Sequence, residues 1–557
     1  MTPLNTLANT IFHDVTKTPA DYEAQYPTRA LPEGARVTRL APSPTGYLHI
    51  GVLYSALCNR MASLTPRGVF FLRIEDTDKK REIEGGAENI LAGLYDFGVS
   101  PDEGITLSDR NVMEIGDYGP YRQSERREIY RTFAKSLMEQ GLAYPCFCSP
   151  EMLDATRKTQ ETAKIRTGYY GNYAPCRLWT AEQALEKVEA GIPFVVRLRS
   201  PGDESRRVAF HDGIRGTIEL PENDQDIVLL KSDGMPTYHF AHAVDDHFMR
   251  TTDVIRAEEW ISSTSIHLQL FEMLGWQPPR YAHIPQIMKN DGNGKRKISK
   301  RKDPEAAMTY YHAEGYPAAA VMEYLMTVAD SGFEGWRRAN PDTNLSAYPF
   351  ALSHMSVSGA LFDLQKLRDV SKSVIARMTA EEVYDAAAAW AAAYDSGLSR
   401  FFAQDPDYAT AIFSIDRGGA KPRKDIAKWA EVKEFCAYFY DELYAPAFAL
   451  PAHFTAADAV AVLRRYLTVY SPADERDAWF EKIKALCPDF GYAPDTKTYK
   501  TNPNGYKGGP GDVSTLIRLA VTSRANTPDL CEIMRLLGVG RVTARIENVI
   551  RELETSV

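Results

Sequence analysis

The pattern of apolar and polar positions predicts two kinds of structure along the chain, an α/β part followed by a helical part. The segment ARVTRLA alternates as a β-strand does and stops at the turn-rich PSPTG. HIGVLYSALCNRMASL then has helical spacing, and GVFFLRI predicts a second strand. A strand, a helix and a strand in this order predict a right-handed crossover and a parallel sheet.

The same kind of sheet resumes after an interruption. DIVLLKSDG and DVIRA predict strands of a second half, with helices over about 236–248 and 260–274. Between the halves, residues 144–224 hold three of the seven cysteines and one clear strand, FVVRLRS, so we expect an inserted domain. Residues 1–35 show no sustained apolar period, and we expect a partly irregular N-terminal extension there.

Helical periodicity dominates the chain after the basic segment KRKISKRK. DAAAAWAAAYDSGL and AADAVAVLRRYLTVY are alanine-rich and amphipathic, and the end of the chain predicts two helices joined at Gly538–Gly540. The C-terminal third is therefore predicted to be all-α. The predicted boundaries are 36–143 and 225–302 for the two halves of the sheet domain, 144–224 for the insertion, 303–375 for the domain that follows and 376–557 for the helical region.

The composition narrows the class of protein. With 44% hydrophobic residues among 557, large buried cores are expected and extensive disorder is excluded. A net charge of -9 excludes a protein coated in positive charge but is compatible with a local basic surface for nucleic acid. Seven cysteines, the lack of a signal-peptide pattern and the lack of a run of about 18 apolar residues predict a cytoplasmic protein without a membrane segment.

Two short motifs favour chemistry on phosphate groups. APSPTGYLHIG places His49 and Gly51 at a strand-to-helix turn, where unpaired N–H groups attract phosphate and a histidine can donate to a phosphate oxygen. KISKR supplies Lys297, Ser299 and Lys300, and a lysine on its flexible stem can follow moving phosphates. Each motif alone has a simpler alternative, a helix-capping histidine and a solvated basic loop, but the ordered pair favours a catalytic role.

The two motifs resemble the signature sequences of the class I aminoacyl-tRNA synthetases. LRIEDTD, GPYRQSERREIY, LLKSDGMPTYHFAHAVDDH and DVIRAEEWISST are similar to the glutamyl and glutaminyl branch. GALFDLQKLR and the helical end extend the resemblance over residues 36–557, to the bacterial glutamyl type. The resemblance implies a class I synthetase fold: a Rossmann-like catalytic domain, an inserted acceptor-binding domain, a stem-contact domain and an all-α anticodon-binding region.

The same resemblance implies an activity. The chain is expected to attach L-glutamate to tRNA(Glu) through a glutamyl-adenylate, with release of pyrophosphate and AMP, in protein biosynthesis. ATP and Mg²⁺ are the implied cofactors, and we expect a monomer. The positions that resemble the family's ATP-binding residues are His49, Gly51, Glu259, Trp260, Lys297, Ile298 and Lys300.

Four other functions fit part of the pattern. A glutaminyl enzyme is expected to have a β-barrel anticodon region, and a shortened relative that glutamylates a modified base lacks that region altogether. A catalytically silent paralogue would not need both intact phosphate motifs. A small-molecule nucleotidyltransferase would not need the long helical region after the sheet domain.

A glutamate pocket needs guanidinium groups for two carboxylates and an acceptor for the ammonium group. Predicted strands place the candidates at the carboxyl edge of the sheet, where α/β proteins bind ligands. The positions that resemble the family's glutamate-binding residues are Arg39, Ala41, Ser43, Glu75, Tyr238, His242 and Arg256. Two residues depart from the family pattern: His242 stands where many relatives have asparagine, and Val52 where the class often has a second histidine.

A zinc site in the insertion is one of two interpretations of its cysteines. Cys146, Cys148 and Cys176 supply three thiols, and Zn²⁺ takes four N, S or O ligands. By resemblance, the insertion of some relatives carries zinc on similar cysteines. Tyr173 and Tyr169 are candidates for the fourth ligand by their proximity in the sequence, and Tyr173 is the one predicted. The alternative is three buried free cysteines.

The basic turn GAKPRKDIAKW is the candidate contact with tRNA in the helical region. By resemblance to bacterial glutamyl enzymes, Arg423 lies where an arginine reads the third anticodon base, and a guanidinium can bond a base edge through two N–H groups. The alternative is a cation that only caps a helix.

Overall fold

Two units make up the chain in the computed structural model. The structure describes residues 2–46, 48–65, 67–78, 80–108, 111–292, 294–299, 301–419 and 422–555. The first unit comprises Met1–Tyr310 and Val321–Asp363, and the second comprises Tyr311–Ala320 and Leu364–Val557.

The strands, in chain order, are β1 (Val37–Leu40), β2 (Val69–Leu72), β3 (Glu103–Ser108), β4 (Asn111–Ile115), β5 (Ala143–Cys146), β6 (Val195–Leu198), β7 (Arg207–Asp212), β8 (Gly216–Pro221), β9 (Val228–Leu230), β10 (Asp253–Ala257), β11 (Arg280–Ile284), β12 (Ile287–Asn290), β13 (Lys295–Lys297) and β14 (Ala360–Leu361).

The helices that begin before residue 363 are α1 (Pro3–Ile11), α2 (Pro19–Gln25), α3 (Ile50–Leu64), α4 (Gly86–Asp96), α5 (Arg127–Glu139), α6 (Pro150–Thr162), α7 (Ala181–Glu189), α8 (Tyr238–Phe248), α9 (Thr264–Met273), α10 (Met308–Glu314), α11 (Ala318–Ala329) and α12 (Phe333–Ala339). Those that follow are α13 (Leu364–Arg377), α14 (Ala380–Tyr394), α15 (Ser396–Gln404), α16 (Pro406–Ser414), α17 (Val432–Cys436), α18 (Ala456–Val469), α19 (Arg476–Leu486), α20 (Thr496–Thr501), α21 (Pro510–Thr522) and α22 (Leu530–Thr555).

The first unit is organised around two neighbouring sheets. One has the strand order β1-β2-β3-β4, in which β1, β2 and β3 are parallel and β4 is antiparallel, and the other has the order β10-β11-β7-β8. They meet at β1 and β10, where the Thr252 amide donates to the carbonyl of Val37 at 3.0 Å. The strand order therefore reverses between β1 and β10, and α/β folds form ligand clefts at the carboxyl ends of strands at such a point.

The strand partners around the insertion differ from those that the sequence suggests. DIVLLKSDG, predicted to resume the main sheet, contributes β9 to a separate antiparallel sheet of β5, β6 and β9. β7 and β8 lie within 144–224, yet they form a hairpin that extends the β10–β11 sheet, with Tyr281 opposite Asp212. Periodicity predicts a strand but not its partner, because an apolar run suits any buried sheet.

Residues 1–35 are partly irregular, as expected, but they also contain two helices, α1 and α2, that the sequence did not predict. Both helices begin at a Thr-Pro pair, in which Thr2 accepts from the Asn5 amide and Thr18 accepts from the Asp21 amide. Threonine satisfies an unpaired N–H group at the start of a helix, and the φ angle of proline already suits the first turn. This capping signal was present in the sequence, although the apolar period was too short to reveal the helices.

Every element that begins from Leu364 onward is helical among the described residues, which confirms the predicted all-α C-terminal third. The join predicted at Gly538–Gly540 is also confirmed. Gly538 interrupts α22 with φ 80° and ψ 157°, and a positive φ of this kind favours glycine.

A buried group of charged side chains joins α8 to β2 and α5. The Asp245 carboxylate accepts from Arg126 Nε at 2.7 Å and from the Tyr130 hydroxyl at 2.9 Å, and it lies 3.7 Å from Arg73 Nε. Asp246 accepts a hydrogen bond from Arg73 Nη1 at 2.9 Å. All five side chains are almost completely buried, so each charge depends on its partner for compensation.

Replacing Asp245 by alanine is expected to destabilise the first unit by about 3–5 kcal/mol, because Arg126 would keep a buried charge without its carboxylate. Urea unfolding followed by tryptophan fluorescence measures the change. Asp154→Ala is the matched control, since it removes an exposed carboxylate 2.8 Å from Lys158 on α6 and should leave the unfolding midpoint in place. Equal midpoints for the two variants would contradict a stabilising role for Asp245.

Candidate active site

A cleft of about 600 Å³ opens at the carboxyl ends of β1 and β10. Its lining brings together these residues that the sequence predicts for the site: Arg39, Ala41, Ser43, His49, Gly51, Glu75, Tyr238, Arg256, Glu259, Trp260, Lys297 and Ile298. Among the described residues, His242 and Ser299 do not line this cleft. Lys300 falls outside the residues that the structure describes.

His49 caps the helix that carries the first phosphate motif. It is the N-cap of α3, and its Nδ1 accepts from the Gly51 amide at 3.2 Å. A neutral imidazole that accepts at Nδ1 carries its proton on Nε2, so the ring retains a donor. A Cβ at Gly51 would lie 3.1 Å from the His49 ring, which explains why glycine suits that position. His49 therefore does cap the helix. The capping hydrogen bond also fixes the orientation of the ring, so the capping role and the catalytic hypothesis are compatible.

Two almost fully buried arginines line the cleft, and their partners differ. Arg39, on β1, donates from Nε to Asp246 at 3.2 Å. Arg256, on β10, donates from Nε to His283 at 3.0 Å, and another of its nitrogens lies 3.1 Å from His267 Nδ1. Arg39 therefore has a carboxylate beside it, whereas these neighbours of Arg256 are imidazoles.

Glu75 lines the cleft as a buried carboxyl group. Arg73 donates to it at 3.1 Å. Burial raises the pKa of Glu75, although the charges of Arg73 and Arg39 oppose that rise. The position suits an acceptor for a substrate ammonium group.

His242 lies one layer behind the cleft wall. Its Nδ1 is 3.0 Å from the Asp246 carboxylate and its Nε2 is 3.1 Å from the Tyr281 hydroxyl. Burial, together with the charges of Arg256 and Arg39, holds the pKa of His242 well below its ordinary value. The ring is therefore neutral, and it supports Tyr238 from behind, with ring centroids 6.0 Å apart.

The second phosphate motif contributes Lys297 and Ile298 to the lining of the cleft. Lys297 Nζ donates to Glu259 at 2.7 Å, and Glu259 also accepts from Gln286 at 2.9 Å. The Trp260 ring contacts Tyr238 in a tilted arrangement, with ring centroids 4.4 Å apart. Ser299 is held away from the cleft lining, because its amide donates to Asp303 at 2.9 Å.

Several buried polar residues lie behind the wall at positions that were not predicted from the sequence. These are Arg73, Asp212, Asp246, His267 and His283. A signal was present in some cases, since Arg73 stands at the end of the apolar run GVFFLRI, and a charged residue is buried almost only when it is paired. Which partner it takes depends on the tertiary fold and not on local spacing.

Comparison with known proteins assigns the family. The family model for "tRNA synthetases class I (E and Q), catalytic domain" matches residues 36–368, and the model "Anticodon binding domain" matches residues 500–550. The chain belongs to the class I (E and Q) tRNA synthetase family. This confirms the resemblance seen in the sequence, and class I synthetases generally use ATP and Mg²⁺.

The similar proteins within this family are named as glutamate–tRNA ligases. That of Clostridium perfringens (strain 13 / Type A) is 48% identical over 97% of this chain and 99% of its own length. That of Sorangium cellulosum is 47% identical over 95% of this chain and 97% of its own. A crystal structure of a glutamate tRNA ligase from Elizabethkingia meningosepticum, in complex with its amino acid, covers 93% of this chain and 99% of that chain at 27% identity, with a TM-score of 0.72.

The insertion of this class I synthetase gathers its three cysteines in one place. The sulfur atoms of Cys146, Cys148 and Cys176 all lie within 4.8 Å of one another. The Tyr169 hydroxyl is 3.2 Å from Cys146 and 3.3 Å from Cys148. The hydroxyl at the cluster is therefore that of Tyr169, whereas the ring of Tyr173 contacts Tyr170.

The cysteine cluster favours a thiolate. A hydrogen bond from the Cys176 thiol, opposed by burial, lowers the pKa of Cys146 to about 5. Metal ions bind the thiolate form of cysteine.

Arg423 of the helical region is already held in one orientation. Its guanidinium donates two parallel hydrogen bonds to Asp425, at 2.7 and 2.9 Å, and a third to Asn526 at 3.2 Å. About a third of its side chain remains exposed.

Among the described residues, no helix is both long and apolar enough to cross a membrane.

Proposed function

We propose that this chain attaches L-glutamate to tRNA(Glu), a reaction that agrees with the name glutamate–tRNA ligase of its relatives. The observation that carries the proposal is the single cleft that unites the His49 turn, Lys297 and Arg256. One group of residues suits triphosphate and another suits a dicarboxylate with an ammonium group. The helical region and its anticodon-domain match support the glutamyl activity over a glutaminyl enzyme or a nucleotidyltransferase.

Glutamate is held on the side of β1 and β10. Arg256 and Arg39 supply the guanidinium groups for its carboxylates, and Glu75 is the acceptor for its ammonium group. Ala41, Ser43 and Tyr238 complete this side.

Activation takes place between the two phosphate motifs. The α-carboxylate oxygen attacks the α-phosphorus of ATP, the bond to the β-phosphate oxygen breaks, and glutamyl-adenylate and pyrophosphate result. His49 and the positive N-terminal end of α3 stabilise the charge that develops on the phosphate oxygens. Lys297, with Lys300 beside it in the chain, follows the leaving pyrophosphate, and Glu259 holds Lys297 in place beforehand. Mg²⁺ bound with ATP would neutralise phosphate charge, and Glu259 in the cleft lining would hold it, since Glu75 is taken by the substrate ammonium group.

Transfer follows within the same cleft. A terminal ribose hydroxyl of tRNA attacks the activated carbonyl carbon, AMP leaves, and no covalent enzyme intermediate forms. Positioning and electrostatic stabilisation supply the rate.

Each part of the chain receives one role in this proposal, and the whole is proposed to be a cytoplasmic monomer. We assign catalysis to residues 36–143 and 225–302, binding of the tRNA acceptor end to 144–224, contact with the tRNA stem to 303–375 and binding of the anticodon to 376–557.

Two finer assignments belong to this proposal. Three thiols and the Tyr169 hydroxyl fit the four ligands of a structural Zn²⁺, which would tie the insertion together. Asp425 fixes the orientation of the Arg423 guanidinium through its hydrogen bonds, and a guanidinium of fixed orientation suits recognition of the third anticodon base.

Purified protein should charge tRNA(Glu) with glutamate and should not use glutamine. His49→Ala should lower kcat by about 10²–10³-fold, because a preorganised donor to the transition state is lost. His13→Ala, at an exposed histidine, should leave kcat unchanged. Aminoacylation with both amino acids on purified tRNA(Glu) and tRNA(Gln) tests this, and the absence of glutamate transfer to either tRNA would overturn the proposal.

Metal analysis of the purified protein should find about one zinc per chain, as expected for a closed four-ligand site. Cys148→Ser and Tyr169→Phe should lower the zinc content, whereas Tyr173→Phe should leave it unchanged because that ring lies elsewhere. Protein without zinc, prepared without chelators, would favour the alternative of three free cysteines.

Arg423→Gln should lower the preference for tRNA(Glu) over tRNA(Gln) by about 5- to 150-fold, the discrimination that a two-bond contact to a base provides. Lys424→Gln is the neighbouring control, since Lys424 bonds Ser373 at 3.0 Å. The ratio of kcat/KM for the two tRNAs is the measurement. An unchanged ratio in Arg423→Gln would remove the anticodon role.

A further inference from the structure

Arg256 is fixed in the cleft wall by uncharged groups. In the described part of the chain, its hydrogen-bond partners are His283 Nε2 at 3.0 Å, His267 Nδ1 at 3.1 Å, the Thr264 hydroxyl at 3.0 Å and the Trp260 carbonyl at 3.3 Å. Only 5% of the residue is exposed. Its geometry is therefore set from several sides, while its charge stays available.

The chemistry of the guanidinium decides the protonation of its neighbours. Arginine has only donors, so the nitrogen that each imidazole turns toward Arg256 must be an acceptor. His283 then carries its proton on Nδ1, which lies 2.6 Å from the Asp212 carboxylate. His267 carries its proton on Nε2, which lies 3.0 Å from His239 Nδ1. Burial lowers the pKa of His283 and of His267 below the ordinary value, which agrees with neutral rings.

Asp212 occupies the far end of this arrangement and is itself fixed. One carboxylate oxygen accepts from the amides of Ile214 and Arg215, each at 3.0 Å. The other accepts from both the ring and the amide of His283, the latter at 3.1 Å. The strand order makes the contact possible, because β11 carries His283 between Arg256 on β10 and Asp212 on β7.

We propose that Asp212 and His283 are positioning residues for glutamate recognition, which fix Arg256 for a substrate carboxylate without neutralising it. A carboxylate in direct contact with Arg256 would compete with the substrate for the same N–H groups. An imidazole whose far nitrogen is bonded to a carboxylate fixes the tautomer and the orientation and leaves the charge in place, as in other carboxylate–histidine pairs. The inference rests on the proposed glutamate-charging function.

The test compares three variants for their KM values in aminoacylation. Asp212→Asn places an amide donor near His283 and favours the wrong tautomer, and His283→Phe removes the acceptor. Both should raise the KM for glutamate by about 10- to 100-fold, the effect of losing a hydrogen bond to a charged group. The KM for ATP should stay within about twofold. His283→Gln, whose amide oxygen can replace Nε2 as acceptor, should recover much of the glutamate affinity.

The chain offers a matched control in a second aspartate–histidine pair. Asp330 accepts from the Gly332 amide at 2.9 Å and lies 3.2 Å from His354 Nδ1, and neither residue lines the cleft. Asp330→Asn should leave both KM values unchanged. Melting curves of all four variants separate loss of folding from loss of binding.

The outcomes distinguish the two proposals. Wild-type protein that does not charge glutamate overturns the proposed function and this inference with it. Wild-type charging together with an unchanged KM for glutamate in His283→Phe overturns the positioning role alone. Equal rises in both KM values, or the same KM in His283→Gln and His283→Phe, would show a merely structural role. Should Asp212→Asn fail to fold, the two His283 variants decide the question.

Discussion

The need to compensate buried arginine charge governs the architecture of the first unit. Arg73 has no exposed surface, and Arg126 and Arg39 have almost none. Removing a guanidinium from water costs several kcal/mol unless carboxylates and hydrogen bonds replace the solvent. Asp245 and Asp246 come from α8, which follows the insertion, whereas these arginines and the third carboxyl group, that of Glu75 beside Arg73, precede it. Charge compensation therefore ties the two halves of the sheet domain together across the inserted residues.

One face of α8 performs both the structural and the binding task. Tyr238, His242, Asp245 and Asp246 follow one another at intervals that return to the same side of a helix. Tyr238 reaches the cleft, His242 supports it from behind, and the two aspartates bind the buried arginines. Because the pocket wall and the charge compensation share one helix, a displacement of α8 would disturb stability and substrate binding together.

Local signals explain what the sequence could predict. The HIG turn, the helical period after it and the Gly538 join depend on neighbouring residues, and the structure has them as expected. Strand partners such as those of β9 depend on distant segments, which periodicity does not report. The same holds for Tyr169, because an irregular loop gives no period from which to choose between two nearby tyrosines. The Thr-Pro starts of α1 and α2 were local signals too, although a period of one or two turns is too short to identify alone.

The two arginines of the cleft show how an acidic protein can hold a selective anion site. Arg39 shares the carboxylate of Asp246, so its charge is largely compensated within the protein. The counter-charge of Arg256 lies on Asp212, one imidazole ring away. Separation by a polarisable ring lowers the cost of burial compared with an isolated cation, yet it leaves the charge of the guanidinium and its remaining N–H group for a ligand. The charge of Arg256 is thus available at one point of the wall, where a carboxylate of defined geometry can meet it, and a net charge of -9 for the whole chain is compatible with that local attraction.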